Sequence, residues 1–216
     1  MAEQWIEVGS GTTNPTPNSS VDIRVGLPEP ICPNMTDSEF GTMVLRMRDQ
    51  AAAFVDVRLK GLARWNKEDQ ARVATWFGLS NDDLRARLTN GLTAVARVLR
   101  GLTAKNFVRY SEDTIRHLGC LPNPKYPQHV VAEVCKPDTA THTICIHVNF
   151  CTMRPISYGK DSMVSTIIHE CTHFMDTFHT QDHQYFMSQC LLFAKSHPNL
   201  AIDNADSIAG YVIYED

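Results

Sequence analysis

The pentapeptide His169-Glu170-Cys171-Thr172-His173 constrains this chain more than any other stretch. On an α-helix, residues four positions apart lie on the same face, about one turn from each other. Two imidazoles in that arrangement can bind one Zn²⁺ through their ring nitrogens. Glu170 directly follows the first imidazole and can take a proton from a water molecule at the open position of the metal. The alternative, two core or surface histidines beside a solvated glutamate, stays open for so short a pattern.

The surrounding residues predict a helix independently of this pattern. Asp161-Ser162 offers a side-chain oxygen that can cap a helix start, and neither Pro nor Gly occurs over residues 163–178. We therefore predict a helix over 163–178 that crosses the core. Its apolar residues recur at helical spacing: Met163, Ile167, Ile168, Cys171, Phe174, Met175 and Phe178.

A third metal ligand is expected beyond this helix, because catalytic zinc keeps three protein ligands and one position for water. Asp182 follows His173 by nine residues, in a polar stretch where the chain can turn back to the metal. His179 and His183 are rival ligands, for which we favour surface or supporting positions. A carboxylate that accepts a hydrogen bond from the second ring nitrogen of a ligand is also expected, and Asp176 or Asp203 is available.

Three further segments extend the pattern to most of the chain. They are Thr180-Gln181-Asp182-His183-Gln184-Tyr185, Asn204-Ala205-Asp206-Ser207 and, far upstream, Thr75-Trp76-Phe77-Gly78. Together with the pentapeptide and Phe174, they resemble the aspzincin metalloendopeptidases, the group of deuterolysin and fungal peptidyl-Lys metalloendopeptidase. The resemblance covers roughly residues 36–214, and its last third is the most specific.

This resemblance implies a zincin-like metalloprotease fold, a single zinc ion and a role for each matching residue. The zinc ligands would be His169, His173 and Asp182, and Glu170 would be the general base. Tyr185 would donate a hydrogen bond to the oxyanion, and Asp206 would receive the ammonium group of a lysine at P1′. His179 and Phe186 stand where the family has glycine, at positions that can require a positive φ. We therefore expect an altered loop there.

The net charge and the distribution of apolar residues argue against nucleic acids and membranes as partners. The formal net charge of −4 and the pI of about 6.1 argue against a nucleic-acid surface. No run of 18 apolar residues occurs, so we expect no membrane span. The N-terminal residues do not form a secretory signal peptide. We expect a protein or peptide substrate, a monomer, and a protein that is either secreted or delivered into other cells as an effector.

Cysteine usage leaves the redox environment open, because seven cysteines guarantee at least one unpaired thiol in a monomer. Cys171 and Cys190 lie on apolar helical stretches and are predicted to be buried. Disulfides are possible among the cysteines of the middle region, which are Cys120, Cys135, Cys145 and Cys151.

The remaining patterns predict a mainly helical α+β domain over residues 36–216, after a flexible leader or linker over 1–35 with a possible strand at 21–25. Helices are predicted from Thr36 to about Trp65, over 67–77, from Ser80 to about Ala104, over 184–197 and in a last turn after Asp203 or Asn204. Strands are predicted at 107–110, 130–135 and 143–150. The last of these is expected to be the edge strand that holds an extended peptide beside the zinc-binding helix.

These inferences predict a zinc-dependent endopeptidase that prefers lysine at P1′. Three alternatives stay open: a protease toxin or effector with the same chemistry, a non-catalytic binding module that zinc only staples, and a zinc hydrolase acting on a non-peptide amide.

Overall fold

The computed structural model describes residues 31–122 and 130–214. The leader predicted over 1–35, with its strand at 21–25, therefore lies outside the described residues except for 31–35. No helix in these ranges is long and apolar enough to cross a membrane.

The first three helices follow their local capping signals. Helix α1 (Asp37–Arg64) begins where Thr36 accepts a hydrogen bond from the Glu39 N–H and the Glu39 carboxylate accepts one from the Thr36 N–H. Helix α2 (Lys67–Phe77) ends at Gly78, whose φ is 74°, as predicted. Helix α3 (Asp82–Gly101) is capped by Asn81, one residue later than predicted, because Asn81 Oδ1 accepts the Leu84 N–H at 2.8 Å.

The sheet has three strands, β1 (Phe107–Arg109), β2 (Ala132–Val134) and β3 (Ile144–Ile146), in the order β1-β3-β2. A short helix, α4 (Glu112–His117), follows β1. Strand β3 pairs in parallel with β1 and antiparallel with β2. The prediction that the 143–150 segment forms an edge strand is therefore wrong, because β3 is central and β2 packs beside the helix that carries His169 and His173.

Residues after β3 also depart from the predicted alternation. Val148–Thr152 forms a 3₁₀ helix instead of continuing the strand. All three residues of β3 are buried, because both faces of the strand are covered. Ile144 and Ile146 join the main core, whereas Cys145 packs with Val108 and Ile115 in a smaller cluster.

The C-terminal third contains α5 (Met163–His173), α6 (Met187–Ser196), α7 (Pro198–Ala201) and α8 (Ala205–Ile213). Ser162 caps α5, as predicted, but α5 ends at His173 rather than 178, because Phe174 leaves the helical region with a ψ of 142°. Met175 is consequently 55% exposed, against the prediction, while Phe174 and Phe178 are buried. Helix α6 begins at Met187, later than predicted, because Phe186 has a φ of 66°.

Helix α5 is the central element of the core and packs against α1, α3 and α8. Covalent cross-links join Cys32 to Cys151 and Cys120 to Cys135. The other three cysteines are buried free thiols, which confirms the predicted burial of Cys171 and Cys190.

Candidate metal centre

Helix α5 presents its two histidines on one face, one turn apart, at the end of the helix. Their Nε2 atoms are 3.1 Å apart. Both side chains are largely buried, with 12% of His169 and 7% of His173 exposed. The rest of α5 is apolar and buried in the core, so the backbone that carries the two imidazoles is firmly held.

The chain reverses after α5 and returns Asp182 to the same face. Thr180 fixes the return, because its N–H donates to the Thr172 carbonyl at 3.2 Å and the two threonine hydroxyls are 2.8 Å apart. The next residue, Gln181, donates its N–H to the Asp203 carbonyl at 2.8 Å and accepts the Ala205 N–H at 3.1 Å. The start of α8 therefore supports the segment that leads into Asp182.

The three predicted ligands form a nearly equilateral triangle. Asp182 Oδ1 lies 3.2 Å from His169 Nε2 and 3.3 Å from His173 Nε2, and the third side is the 3.1 Å between the two nitrogens. For ligands at roughly 2.0–2.1 Å from a tetrahedral zinc, the expected ligand–ligand distance is about 3.3–3.4 Å. The donor set and its spacing therefore fit Zn²⁺, and the Asp182 side chain is 35% exposed, so solvent reaches this part of the site.

The second nitrogen of each imidazole has a hydrogen-bond acceptor. His169 Nδ1 lies 2.5 Å from Asp206 Oδ1, and His173 Nδ1 lies 3.1 Å from the Thr180 carbonyl oxygen. These partners place the imidazole proton on Nδ1 and leave Nε2 free to bind a metal. Both ligands are therefore oriented by the protein.

Asp176 and Asp203, the carboxylates predicted to accept a hydrogen bond from a ligand imidazole, form hydrogen bonds with other residues instead. Asp176 contacts Arg97 and His142, and Asp203 contacts His183. That prediction is wrong, since Asp206 supplies the carboxylate from α8. The Asn204-Ala205-Asp206 motif marked Asp206 in the sequence, but it predicted a role in binding lysine and not a hydrogen bond to a histidine.

Electrostatics reflect the close packing of charges in this cluster. Burial acts to lower the pKa of His169, but the carboxylates of Asp206 and Asp182 outweigh it and raise that pKa well above its usual value. Burial acts to raise the pKa of Asp182, but hydrogen bonds and charge from the two imidazoles hold it far below the usual range. Asp182 is therefore a carboxylate, the form that binds a metal.

Glu170 and Tyr185 flank the triangle. Glu170 is 4% exposed, and burial raises the pKa of its carboxyl group. The Tyr185 ring lies nearly parallel to the His169 ring, with centroids 6.5 Å apart, and is 52% exposed. Burial, followed by the charge of Asp182 and a hydrogen bond to it, raises the pKa of the Tyr185 hydroxyl. That hydroxyl stays protonated at neutral pH and remains a hydrogen-bond donor.

The two residues that replace glycine lie in turns of positive φ. His179 has a φ of 56° and Phe186 a φ of 66°. The expectation that these positions require a positive φ is thus confirmed. Neither rival ligand reaches the triangle, because His179 is exposed and His183 Nε2 lies 3.1 Å from Asp203.

Comparisons with known proteins agree with this geometry. A family model described as lysine-specific metallo-endopeptidase matches residues 62–213. A peptidyl-Lys metalloendopeptidase from Pleurotus ostreatus is 47% identical over 49 residues, which are 23% of this chain and 29% of that protein's length. The solved structure of a zinc peptidase from Grifola frondosa superposes with a TM-score of 0.62 and 19% identity, over 82% of this chain and 96% of the other. That structure establishes a shared fold.

Proposed function

The chain belongs to the aspzincin family of metallo-endopeptidases, and we therefore propose that it is a zinc-dependent endopeptidase whose single zinc ion is held by His169, His173 and Asp182. The observation that carries this proposal is the triangle of ligand atoms with sides of 3.1–3.3 Å. A buried glutamate and a half-exposed tyrosine beside it provide the groups that peptide hydrolysis requires.

Zinc held by His169, His173 and Asp182 would supply an acidified water molecule and would polarise the scissile carbonyl. Glu170 accepts the proton of the attacking water and delivers it to the leaving amine. Tyr185 donates a hydrogen bond to the oxygen on which negative charge develops.

An extended peptide substrate is proposed to bind along the outer edge of β2. The His147 N–H donates to the Val131 carbonyl at 3.0 Å, and Glu133 pairs with Cys145. Because backbone groups alternate in direction along an antiparallel strand, those of Ala132 and Val134 point away from β3. Strand β2 packs against α5, so backbone hydrogen bonds to its outer edge would hold the peptide near the helix that carries the proposed ligands.

Lysine is the proposed residue at P1′, with Asp206 as a source of negative charge. The matching family model and the Pleurotus ostreatus relative both carry lysine specificity in their descriptions, which supports the proposal. Asp206 is 14% exposed, and its two oxygens already contact His169 Nδ1 and the Phe186 N–H. A substrate ammonium would therefore share an acceptor that also orients a metal ligand.

Secretion is the proposed localisation. Two disulfide bonds support it, because disulfides persist in oxidising compartments and are rare in the cytosol.

The test is digestion of a denatured, lysine-containing protein by the wild type and by Glu170→Gln, with fragments sequenced and zinc measured for both. Glu170→Gln keeps the size of the side chain and all three ligands, so we expect full zinc occupancy and a loss of cleavage of at least about 100-fold. Cuts on the N-terminal side of lysine establish the specificity. Stoichiometric zinc with no cleavage by the wild type would refute the peptidase and favour a zinc-stapled binding module.

A further inference from the structure

Lys136 connects the sheet to the loop between the metal ligands His173 and Asp182. Its Nζ donates hydrogen bonds to the Thr180 carbonyl at 2.5 Å and to Gln181 Oε1 at 2.9 Å. Its own carbonyl accepts the Met175 N–H at 3.0 Å. Lys136 therefore forms hydrogen bonds near both ends of this loop, to Met175 after His173 and to Thr180 and Gln181 before Asp182.

The Thr180 carbonyl is the same oxygen that receives the Nδ1–H of His173, at 3.1 Å. A carbonyl oxygen has two lone pairs and can accept both donors. Thr180 is completely buried, so bulk solvent does not supply an alternative donor to its carbonyl. The ammonium group consequently fixes the acceptor that sets the orientation of one metal ligand.

Lys136 is itself well anchored. The preceding residue, Cys135, is fully buried and joined to Cys120 by a disulfide, and it directly follows β2. Burial lowers the pKa of Lys136, which shows that placing the ammonium here has a desolvation cost. The negative charges of Asp182 and Asp203 act in the opposite direction and favour the charged form.

We propose that Lys136 is a positioning residue of the metal centre, which holds the loop over residues 174–182 in the conformation that brings Asp182 and the His173 imidazole together. It touches neither metal nor substrate and acts through Thr180 and Gln181. The inference rests on the proposed zinc site but not on the proposed substrate. Outer hydrogen-bond partners of metal ligands typically change metal affinity by 10–100-fold when removed.

The experiment measures zinc dissociation constants by competition with a chromophoric chelator for four proteins: wild type, Lys136→Met, Lys136→Arg and Lys60→Met. Lys136→Met removes the ammonium and keeps an unbranched chain. Lys136→Arg restores donors to both acceptors, and Lys60 is an exposed lysine on α1 that serves as the matched control. We expect zinc binding to weaken by about 10-fold or more in Lys136→Met and to stay within about threefold of wild type in the other two.

Melting temperatures of the metal-free proteins separate positioning from general stability. The positioning role predicts that zinc raises the melting temperature of Lys136→Met by less than that of wild type, by the equivalent of about 1.4 kcal/mol for a 10-fold loss of affinity, while the metal-free melting temperature stays close to wild type. Unchanged zinc affinity overturns the proposal, and so does an equal loss of melting temperature with and without zinc. If Lys136→Met does not fold, Gln181→Ala removes one of the two acceptors, and unchanged zinc affinity in that variant overturns the proposal as well. A wild type that binds no zinc would instead refute the metal site.

Discussion

Replacing Asp206 with asparagine tests whether one carboxylate both orients a metal ligand and attracts the substrate. Oδ1 lies 2.5 Å from His169 Nδ1, and Oδ2 accepts the Phe186 N–H at 2.8 Å. Asparagine keeps an oxygen that can face the imidazole, but it removes the negative charge and turns its amide nitrogen, a donor, toward the Phe186 N–H, so that second hydrogen bond is lost. The substitution therefore weakens the hydrogen bond without emptying the space.

The expected loss of zinc affinity in Asp206→Asn follows from the type of hydrogen bond that Asp206 forms with His169. A bond to a charged group contributes about 1.5–3 kcal/mol and a neutral one about 1 kcal/mol. The difference of about 0.5–2 kcal/mol corresponds to roughly 2- to 30-fold weaker zinc binding, since about 1.4 kcal/mol is a factor of ten. Asp206→Ala removes the acceptor altogether and should approach 100-fold.

The assay combines zinc competition with cleavage of two peptides that differ only in lysine or alanine at P1′, both measured at saturating zinc. We expect Asp206→Asn to weaken zinc binding and also to lower kcat/KM for the lysine peptide at least about 10-fold more than for the alanine peptide. An unchanged zinc affinity would refute the orienting role. An unchanged ratio between the two peptides would refute the role in lysine recognition.

Two further predictions concern strain and pH. Because Phe186 has a φ of 66° and is 62% exposed, Phe186→Gly should be about 1 kcal/mol more stable than Phe186→Ala in urea denaturation, and equal stabilities would contradict the strain. Burial, aided by the charge of Asp206, raises the pKa of Asp161 from 3.8 to about 6. The folded state thus binds this proton more tightly than the unfolded state, so the contribution of Asp161 to the stability of the metal-free protein should fall as the pH rises from about 4 to about 6. Asp161→Asn should flatten that part of the profile of melting temperature against pH, and an unaltered slope in the variant would count against the shift.

Local signals in the sequence predicted the helix starts well. Thr36, Asn66 and Ser162 each cap a helix by hydrogen bonds to residues three positions away, so the information lies within one turn. The positive φ at His179 and Phe186 was also predictable, because it followed from two positions where the resembling family carries glycine.

Long-range contacts explain what the sequence did not predict. The apolar spacing through Met175 favoured a longer α5, but the bonds between Thr180 and Thr172 draw the chain out of the helix after His173. The alternation in the 143–150 segment correctly indicated a strand, but alternation carries no information on strand order, and β3 lies in the centre. The supporting contacts of the metal site connect residues 37 positions apart, as in His169 and Asp206, and no local pattern encodes them.

Both disulfide bonds lie in the part of the chain that precedes α5. The bond between Cys32 and Cys151 spans 119 positions, and the bond between Cys120 and Cys135 lies inside that interval. All three proposed zinc ligands come later in the chain, and the cysteines of that part, Cys171 and Cys190, are free thiols. The disulfides therefore restrain the unfolded chain ahead of α5, whereas a metal at the proposed ligands would stabilise the folded form of the part beyond it. If zinc binds as proposed, its removal would abolish the chemistry and destabilise the segment that carries the ligands in one step, while the disulfide-bonded part keeps its cross-links.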